Sequence, residues 1–474
     1  MIKSSFAFLI PFIFAGCNSS TSSPEPLITR FMNDGNVPGL FVAVVRGDSV
    51  LYQRGFGFAD RESKRPITGK ICMELGSVSK AFTAEIIYDL HQAGLLNINE
   101  SIRRYFPGAP KSWENITIRH LLTHTSGIQN YLLDPRFKAE SYFLGSNDLE
   151  SERFFKTVST DSMTRMFYSL PLEFNPGSTW SYSNTGYYLL GKIAESVTQK
   201  KFFELVRLKL TDPLRMDDTK ANELASREDC LAKGYLLKDG ILIPSTILTS
   251  NYAFSAGAWA STGEDMIRYL KAIHQKVLLS DRAGYDWRKV DPNGDLPFTY
   301  EGGHFYSSYH GMKVISHQGG TPGFSSSWFY VVDKKISVIV LINRQDYAAI
   351  DQMAVDILAL FEPGLAFPGK TVTGEEAIEL GKQLVVTINA IKNNTPYPLL
   401  MSKPLEGFMK SENGKGLWKW YFDRGFPDTA FCVDTEKTGN LTAYRFRLPV
   451  PGRPDYRLTV ILNARKEWVQ MRWW

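Results

Sequence analysis

Residues 76–94 of the chain read Gly-Ser-Val-Ser-Lys-Ala-Phe-Thr-Ala-Glu-Ile-Ile-Tyr-Asp-Leu-His-Gln-Ala-Gly. Apolar side chains recur there at helical spacing, so the pattern predicts a helix that begins near Ser77, is buried along one face and ends at Gly94. Ser77 and Lys80 lie on the same side of its first turn, so the lysine amine can reach the serine hydroxyl and activate it. Taken alone, the pair also fits a helix cap beside a solvent-facing lysine.

Two further stretches carry residues suited to the same chemistry. A turn delivers Tyr182 and Asn184 ahead of another helical run. A phenol can share a proton with a lysine, and an amide side chain can hydrogen-bond a substrate. Around His317 an edge strand ends in Gly319 and Gly320, where a substrate can approach the backbone closely. Each stretch also has an ordinary structural explanation: a buried tyrosine with an asparagine helix cap, and a tight turn beside a core histidine.

Composition excludes several classes of protein. The 474 residues carry 54 Lys plus Arg against 49 Asp plus Glu, a net charge of +5, which is too small a surplus for a nucleic-acid-binding surface. With 43% hydrophobic and 22% charged residues, the chain is typical of a globular protein with more than one domain. His120 and His124 lie near a loop, and no HExxH motif surrounds any histidine, so we expect no metal and no cofactor. The four cysteines are scattered, and they form neither a disulfide framework nor a zinc motif: Cys17, Cys72, Cys230 and Cys432.

Residues 1–17 are predicted to be a targeting signal. Lys3 precedes an apolar run that ends in Ala15-Gly16-Cys17, which resembles a bacterial lipoprotein signal with a lipidated cysteine. An ordinary secretory signal is the alternative. Residues 18–26 are rich in Ser, Thr and Pro and predict a flexible tether. We therefore expect a cell-envelope protein that a lipid on Cys17 anchors to a membrane outside the cytoplasm, on the periplasmic side. At most one disulfide then joins two of the other three cysteines, and the pairing stays open.

Residues 27–364 alternate between strand and helix patterns and predict one α+β domain. Strand-like runs that form hairpins, or that flank one another in sequence, lie at residues 39–47, 49–57, 234–237, 241–244, 326–332 and 336–342. A closing helix is predicted over residues 346–361, where apolar side chains repeat at helical spacing.

Residues 365–474 predict a second, small α+β domain. Pro-Gly pairs mark its beginning, and Thr373 with Glu376 has the form of a capping box for a helix that ends near Asn393. Strand-like runs follow at residues 417–422, 429–433, 441–448, 456–462 and 467–474. The tryptophans of this domain are interpreted as core residues, although an aromatic face that binds sugar or peptide is the alternative.

Three short motifs follow one another along the chain: Ser77-x-x-Lys80, Tyr182-x-Asn184 and His317-x-Gly319. Their types and order resemble those of the serine β-lactamase and penicillin-binding-protein family, specifically its class C-like branch of esterases and peptidases. The resemblance covers about residues 27–361. It implies an antiparallel five-stranded sheet flanked by helices, a helical lobe, and a site in the cleft between them.

The resemblance also implies a role for each residue. Ser77 is the acylated nucleophile, Lys80 and Tyr182 transfer protons, Asn184, His317 and Gly319 contact substrate, and the amides of Ser77 and Gly320 form an oxyanion hole. His317 departs from the family's usual lysine, and because histidine is only partly cationic near neutral pH, this favours an esterase or peptidase over a β-lactamase. Lys437-Thr438-Gly439 spells the third motif literally, but it lies between two strand-like runs and predicts a hairpin turn.

The sequence therefore predicts a serine hydrolase that forms an acyl-enzyme on Ser77 and cleaves a small ester or a peptide or amide. An esterase or a D-amino-acid-specific peptidase is favoured over a β-lactamase, with cell-wall-derived peptides among the candidate substrates. The alternative is a sensor or scaffold that keeps the fold without turnover. The segments 130–160 and 282–311 are expected to be cleft loops that set specificity. No oligomeric state is predicted.

Overall fold

The computed structural model describes residues 23–137, 158–227, 230–238, 240–275, 277–278, 298–309, 311–345, 350–366, 371–393, 395, 401, 405–406, 409, 427–438, 440–449 and 456–473. The predicted signal with Cys17, residues 18–22 of the predicted tether, the predicted strand at 417–422 and most of the predicted specificity loop at 130–160 lie outside these ranges. The tether prediction is wrong at residues 25–26, because a helix begins at Glu25. Within them, none of the helices has both the length and the apolar composition needed to cross a membrane.

The helices of the described ranges are α1 Glu25–Asp34, α2 Lys80–Gln92, α3 Ile118–Leu122, α4 Thr160–Phe167, α5 Asn184–Thr198, α6 Phe202–Val206, α7 Asn222–Arg227, α8 Ser250–Ala253, α9 Gly263–His274, α10 Ile350–Phe361 and α11 Glu375–Lys392. The strands are β1 Gly39–Arg46, β2 Ser49–Asp60, β3 Arg65–Pro66, β4 Cys72–Glu74, β5 Lys220–Ala221, β6 Tyr235–Lys238, β7 Ile241–Pro244, β8 Trp259–Thr262, β9 Phe298–Glu301, β10 His304–Tyr309, β11 Met312–Thr321, β12 Phe324–Val331, β13 Ile336–Ile342, β14 Phe431–Thr438, β15 Leu441–Leu448, β16 Tyr456–Leu462 and β17 Trp468–Trp473.

The main sheet is antiparallel and has the strand order β3-β2-β1-β13-β12-β11-β10-β9. At its centre β1 pairs with β13, with Leu40 opposite Ile342. Both strands are almost entirely apolar and buried, because both faces of the sheet are covered. Alternate side chains such as Val42 and Val340 pack with α1 and α10 on one face, and those such as Ala43 pack into the larger core on the other. The predicted hairpins and the closing helix are confirmed for the described residues.

The sheet is wider than the predicted five strands. The expected strands are β2, β1, β13, β12 and β11, and β3, β9 and β10 extend the two edges. Residues 298–309 form β9 and β10, so the prediction of a loop is wrong for this part of segment 282–311, whereas residues 282–297 lie outside the described ranges. The segment alternates aromatic and polar residues around Gly302-Gly303, which is a hairpin pattern in its own right.

A helical lobe packs beside this sheet, with α2 between the two. Helix α2 contacts α5 and α6 of the lobe, and its buried side chains belong to the large core shared with the sheet. A disulfide joins Cys72 of β4 to Cys230, which lies before β6. The sequence left this pairing open. Cys432 is buried and unbridged.

The C-terminal residues form a second unit with its own core. Helix α11 packs against a four-stranded antiparallel sheet in the order β14-β15-β16-β17. Leu384 and Ile388 of the helix meet Phe446 and Leu458 of the sheet, all of them buried. Trp468 is 1% exposed in the same cluster, so it is a core residue, as the sequence predicted.

Two sequence predictions in this unit have different outcomes. The capping box is wrong, because Gly374 occupies the N-cap position of α11 and no side chain caps the helix. The pattern placed the cap one residue too early, at Thr373. The hairpin prediction for the literal Lys-Thr-Gly motif is confirmed, since β14 ends at Thr438 and pairs there with Leu441 of β15.

Candidate active site

The segment that carries Ser77 passes from β4 into α2 through one tight turn. Gly76 has a φ of +52°, and a Cβ there would lie 2.7 Å from the amide nitrogen of Gly320, so the approach of the two backbones requires glycine. Ser77 follows in a 3-10 turn, Gly76–Ser79, and Lys80 opens the α-helix. The helix predicted from Ser77 is therefore confirmed, with a first turn tighter than an α-helix. The prediction that it is buried along one face is wrong, because every residue from Lys80 to Tyr88 is buried.

The Lys80 side chain is fully buried, which excludes the solvent-facing lysine. Its Nζ lies 3.0 Å from Oγ of Ser77, 2.7 Å from Oδ1 of Asn184 and 2.6 Å from the carbonyl oxygen of Ala256. Burial lowers the pKa of Lys80 well below the ordinary lysine value. As a neutral amine, Lys80 donates its two protons to the Asn184 and Ala256 oxygens and keeps a lone pair for the proton of Ser77.

Tyr182 lies on the other side of the amine. Nζ of Lys80 is 5.0 Å from the centroid of its ring, within the range of a cation–π contact when the amine is protonated. Burial raises the pKa of the Tyr182 phenol, and the nearby Ser77 hydroxyl lowers it by a smaller amount. The two hydroxyls do not adopt ordinary hydrogen-bond geometry, since the phenol oxygen has no hydrogen-bond partner among the described residues. Tyr182 is therefore a neutral phenol beside Ser77.

Asn184 opens helix α5 and links the site to a residue that the sequence did not single out. Its Oδ1 accepts from Lys80, and its Nδ2 donates to Oδ1 of Asn130 at 3.3 Å. Asn130 is 7% exposed and caps a short 3-10 turn that follows it. Because Oδ1 of Asn184 points at the lysine, this amide fixes the position of the amine.

His317 lies in β11 and is 3% exposed. Its Nε2 lies 2.9 Å from the hydroxyl of Tyr300, and its Nδ1 lies 2.5 Å from the carbonyl oxygen of Gln318. Burial lowers the pKa of His317 well below the ordinary histidine value, and Lys80 lowers it further when the amine is protonated. His317 is therefore neutral, whereas the sequence analysis expected a partly cationic group. The side chain of Tyr300 comes from β9, in the segment predicted as a loop.

Gly319 and Gly320 lie where β11 passes the nucleophile turn. A Cβ on Gly319 would collide with the carbonyl oxygen of Leu75, so this strand position also requires glycine. Gly320 is exposed, and a Cβ there would meet open space. The structure therefore places the Gly320 backbone beside the turn of Ser77, as an oxyanion hole made of these two residues requires.

His124 completes the surroundings of Tyr182. Its ring centroid lies 4.3 Å from that of Tyr182 and 4.3 Å from that of Tyr300, and its Nδ1 accepts from the amide of Ser183 at 3.2 Å. The sequence analysis did not place His124 in the site. The stretch Leu121-Leu-Thr-His-Thr-Ser-Gly127, which contains it, lies between the first two motifs and was the available signal.

One wall of the site is aromatic and uncharged. Trp180, Tyr300 and Phe305 are in ring contact with one another, and Phe305 also contacts His317. Lys80 is the ionisable amine at the centre, and its pKa is lowered. Within the described residues, no three His, Cys, Asp or Glu side chains converge as a metal site would require.

The fold and this arrangement of serine, lysine and tyrosine define a protein of the serine β-lactamase and penicillin-binding-protein fold. The Beta-lactamase family model matches residues 25–360 of the chain. The chain therefore belongs to the Beta-lactamase family, and the resemblance and the fold class inferred from the motifs are confirmed.

Comparison with curated proteins gives moderate sequence similarity. The chain is 28% identical to Penicillin-binding protein 4* of Bacillus subtilis (strain 168) over 327 residues, which cover 66% of this chain and 69% of the relative. It is 24% identical to Protein flp of Staphylococcus aureus (strain N315) over 336 residues, which cover 69% of this chain and 64% of the relative. The chain thus spans less than two thirds of the second relative.

Solved structures share the fold at low sequence identity. The octameric penicillin-binding protein homologue from Pyrococcus abyssi matches with a TM-score of 0.62 and 20% identity, over 95% of this chain and 99% of that one. The D-stereospecific amidohydrolase from Streptomyces sp. matches with a TM-score of 0.60 and 23% identity, over 71% of this chain and 97% of that one. The D-amino acid amidase from Ochrobactrum anthropi SV3 matches with a TM-score of 0.60 and 20% identity, over 72% of this chain and 100% of that one. At these identities the similarity concerns the fold.

Proposed function

We propose that this protein is a serine hydrolase that forms an acyl-enzyme on Ser77 and hydrolyses a small ester or amide. The observation that carries the proposal is the 3.0 Å distance between Nζ of the fully buried Lys80 and Oγ of Ser77. A lysine with a lowered pKa in hydrogen-bond contact with a serine is a general base placed on its nucleophile. Membership of a family whose relatives include serine hydrolases supports the same reaction.

The proposed reaction follows from the proton positions. Oγ of Ser77 attacks the carbonyl carbon while its proton passes to the Lys80 amine, and the carbonyl oxygen becomes an oxyanion held by the amides of Ser77 and Gly320. The tetrahedral intermediate collapses as the alcohol or amine leaves with a proton from Tyr182, which Lys80 then reprotonates. Water, deprotonated by the same pair, attacks the ester on Ser77 and restores the free serine and the acid product.

The charge of the site favours a substrate with a neutral group next to the scissile bond. His317 stands where the family's third motif has lysine, and it is buried, neutral and bonded to Tyr300. It supplies no cation for a substrate carboxylate, which a β-lactam or a peptide with a free C-terminus presents. We therefore propose esters and primary amides of D-amino acids as the preferred class. The solved D-amino acid amidase and D-stereospecific amidohydrolase with this fold support that choice.

The location stays a proposal that rests on the N-terminal sequence. We propose that Cys17 carries a lipid and anchors the hydrolase to a membrane of the cell envelope, outside the cytoplasm. The disulfide between Cys72 and Cys230 supports an oxidising compartment, because such bonds persist there and are rare in the cytosol. Globomycin-sensitive processing of the full chain, read by intact mass, tests the lipidation, and a Cys17→Ser variant is the control.

The first experiment follows the protein and its Ser77→Ala variant by intact mass. Both are incubated separately with an aryl acetate, D-phenylalanine amide, a D-Ala-D-Ala peptide and a cephalosporin. Ser77-dependent product from the ester or the amide, with little from the two carboxylates, supports the proposal. A stable adduct on Ser77 without product would instead support a sensor or scaffold, and equal turnover by Ser77→Ala would exclude Ser77 as the nucleophile.

A further inference from the structure

The C-terminal sheet domain makes specific charged contacts with the hydrolase domain. Arg457 of β16 forms a two-pronged ion pair with Asp356 of α10, with 3.0 Å between Nη2 and Oδ2. The side chains of this pair are 16% and 12% exposed, so solvent screens the contact little. A domain held this way has a fixed position on the hydrolase domain.

A second contact reaches the strand next to the site. The guanidinium carbon of Arg445, in β15, lies 5.2 Å from the centroid of the Tyr309 ring, and Asp434 pairs with the same guanidinium. Arg445 and Tyr309 are each 2% exposed. A buried, desolvated arginine over an aromatic ring is at the strong end of cation–π contacts. Tyr309 is the last residue of β10.

The strand that Tyr309 ends also builds the wall of the site. Strand β10 pairs with β11 from Tyr309 to Phe305, and Phe305 is opposite Tyr300 in β9. The distance from Tyr309 to Phe305 is about 13 Å along an extended strand. Near the other end of β10, Phe305 contacts Trp180, and Tyr300, its partner in β9, contacts His317.

The turn of this hairpin rests on the catalytic helix. Gly303 packs so closely on the backbone of Ala81 that a Cβ there would overlap it. Ala81 follows Lys80 directly. The β9–β10 hairpin is therefore fixed at its turn by α2 and at its open end by the C-terminal domain.

We infer that the C-terminal domain positions the aromatic wall of the active site, with Arg445 as the positioning residue that holds β10 through the Tyr309 ring. The effect on turnover rests on the proposed function, whereas the effect on the hairpin does not. Arg445 touches neither Ser77 nor Lys80, so it acts through the position of Tyr300 and Phe305. The domain is then a part of the hydrolase site and not an independent binding module.

The test uses the full chain and substitutes each partner of the contact. Arg445→Gln removes the cation and Tyr309→Leu removes the ring, while Arg445→Lys and Tyr309→Phe keep the charge and the ring. Arg447→Gln is the matched control, because Arg447 lies two residues along β15 and stacks on Phe431 inside the C-terminal domain. Two readouts are taken. The first is hydrogen exchange of the amides of residues 298–309, and the second is kcat and KM for the substrate that the intact-mass experiment identifies.

We expect Arg445→Gln and Tyr309→Leu to lose protection in residues 298–309 and about ten- to a hundredfold in kcat/KM, mainly through KM. Arg445→Lys and Tyr309→Phe keep most of the protection and most of the kcat/KM. The double variant Arg445→Gln, Tyr309→Leu loses no more than either single variant. Arg447→Gln behaves as wild type. Unchanged exchange in folded Arg445→Gln and Tyr309→Leu overturns the inference. If the variants lose protection but the wild-type protein turns over none of the four substrates, the hairpin inference stands and the proposed function alone is overturned.

Discussion

The hydroxyl of Tyr300 and Nε2 of His317 are 2.9 Å apart, and this contact fixes the protonation state of the histidine. Nδ1 of His317 faces the carbonyl oxygen of Gln318, which only accepts, so Nδ1 carries the proton. Nε2 is then the acceptor of the Tyr300 hydroxyl proton. The imidazole is thus held as one neutral tautomer at the position where the family's third motif has a cation.

Replacement of Tyr300 by phenylalanine tests this arrangement. The variant keeps the ring but leaves the buried Nε2 of His317 without a donor, so we expect the free energy of unfolding to fall by about 1–3 kcal/mol. Urea denaturation measures the change, and Tyr105→Phe is the control, because Tyr105 is a partly buried tyrosine that packs against the same core. In nitrogen-resolved NMR, wild-type His317 should stay neutral through the pH range in which an ordinary histidine titrates. A histidine that titrates with an ordinary pKa would contradict the buried contact.

Lys80→Met should abolish most turnover while the protein stays folded. The apolar side chain fills the same space but takes no proton from Ser77, so we expect kcat/KM to fall by about 10²- to 10⁴-fold. Lys209→Met is the control, because Lys209 lies on the surface beside Asp89. Circular dichroism checks the fold. A Lys80→Met variant with near wild-type turnover would remove this amine from the mechanism.

The pH profile of the wild type gives a second test of Lys80. The amine is active when neutral, so kcat/KM should rise as pH increases through the pKa of Lys80 in the folded protein. Because burial lowers that pKa well below the ordinary lysine value, the plateau should be reached well below the pH at which a free lysine loses its proton. An activity that rises only in the range of an exposed lysine would contradict the burial of the amine.

Glu74 predicts a pH-dependent loss of stability. The carboxyl is 1% exposed, one oxygen accepts from the amide of Leu248, and burial raises the pKa of Glu74 to about 8. Nearby Glu223 raises that pKa further, whereas the Thr321 hydroxyl and the Leu248 amide lower it. The folded protein keeps a proton that the unfolded chain releases above its lower pKa. Folding stability therefore falls as pH rises between these two values.

Glu74→Gln removes this dependence because its amide is neutral at every pH. The advantage of the variant in unfolding free energy should grow with pH up to about 8, at no more than about 1.4 kcal/mol per pH unit. Chemical denaturation at several pH values measures the slope. Glu62→Gln, an exposed carboxyl, supplies the control, and parallel curves for Glu74→Gln and wild type would show that Glu74 is not buried as an acid.

The disulfide predicts a redox-dependent stability. Cys72 and Cys230 are 158 residues apart, so the bond closes a long loop of the unfolded chain, and its loss should cost about 2–5 kcal/mol. Thermal unfolding with and without dithiothreitol measures the effect as a lower Tm under reducing conditions. A Cys72→Ala, Cys230→Ala double variant should unfold at the reduced value in both. An unchanged wild-type Tm in fully reduced protein would argue against a stabilising bond.

Local sequence signals predicted the parts of the site that lie within one element. Ser77 and Lys80 are three residues apart, so helical geometry alone brings them together. The contact between Lys80 and Asn184 spans 104 residues, and only the order of the family motifs indicated it. The main strands were also predicted from signals within single elements, since buried strands such as β1 and β13 are almost entirely apolar.

The remaining parts depend on contacts between distant segments that carry no motif. Tyr300 belongs to a hairpin whose Gly302-Gly303 turn was visible, but nothing in the sequence assigned its hydroxyl to His317. Asn130 likewise reaches Asn184 from another segment. The state of His317 was mispredicted because burial, not composition, sets its pKa. The pairing of Cys72 with Cys230 could not be derived from spacing.

The glycines beside the nucleophile divide the site into positions that are closed and open to redesign. At Gly76 and Gly319 the backbone packs directly against another segment of the protein, so any side chain there would collide with the backbone of that segment. Gly320 faces open space one residue further along. In a mutant library for altered selectivity, we expect every substitution of Gly76 or Gly319 to inactivate the protein. Gly320, in contrast, is expected to accept many different side chains.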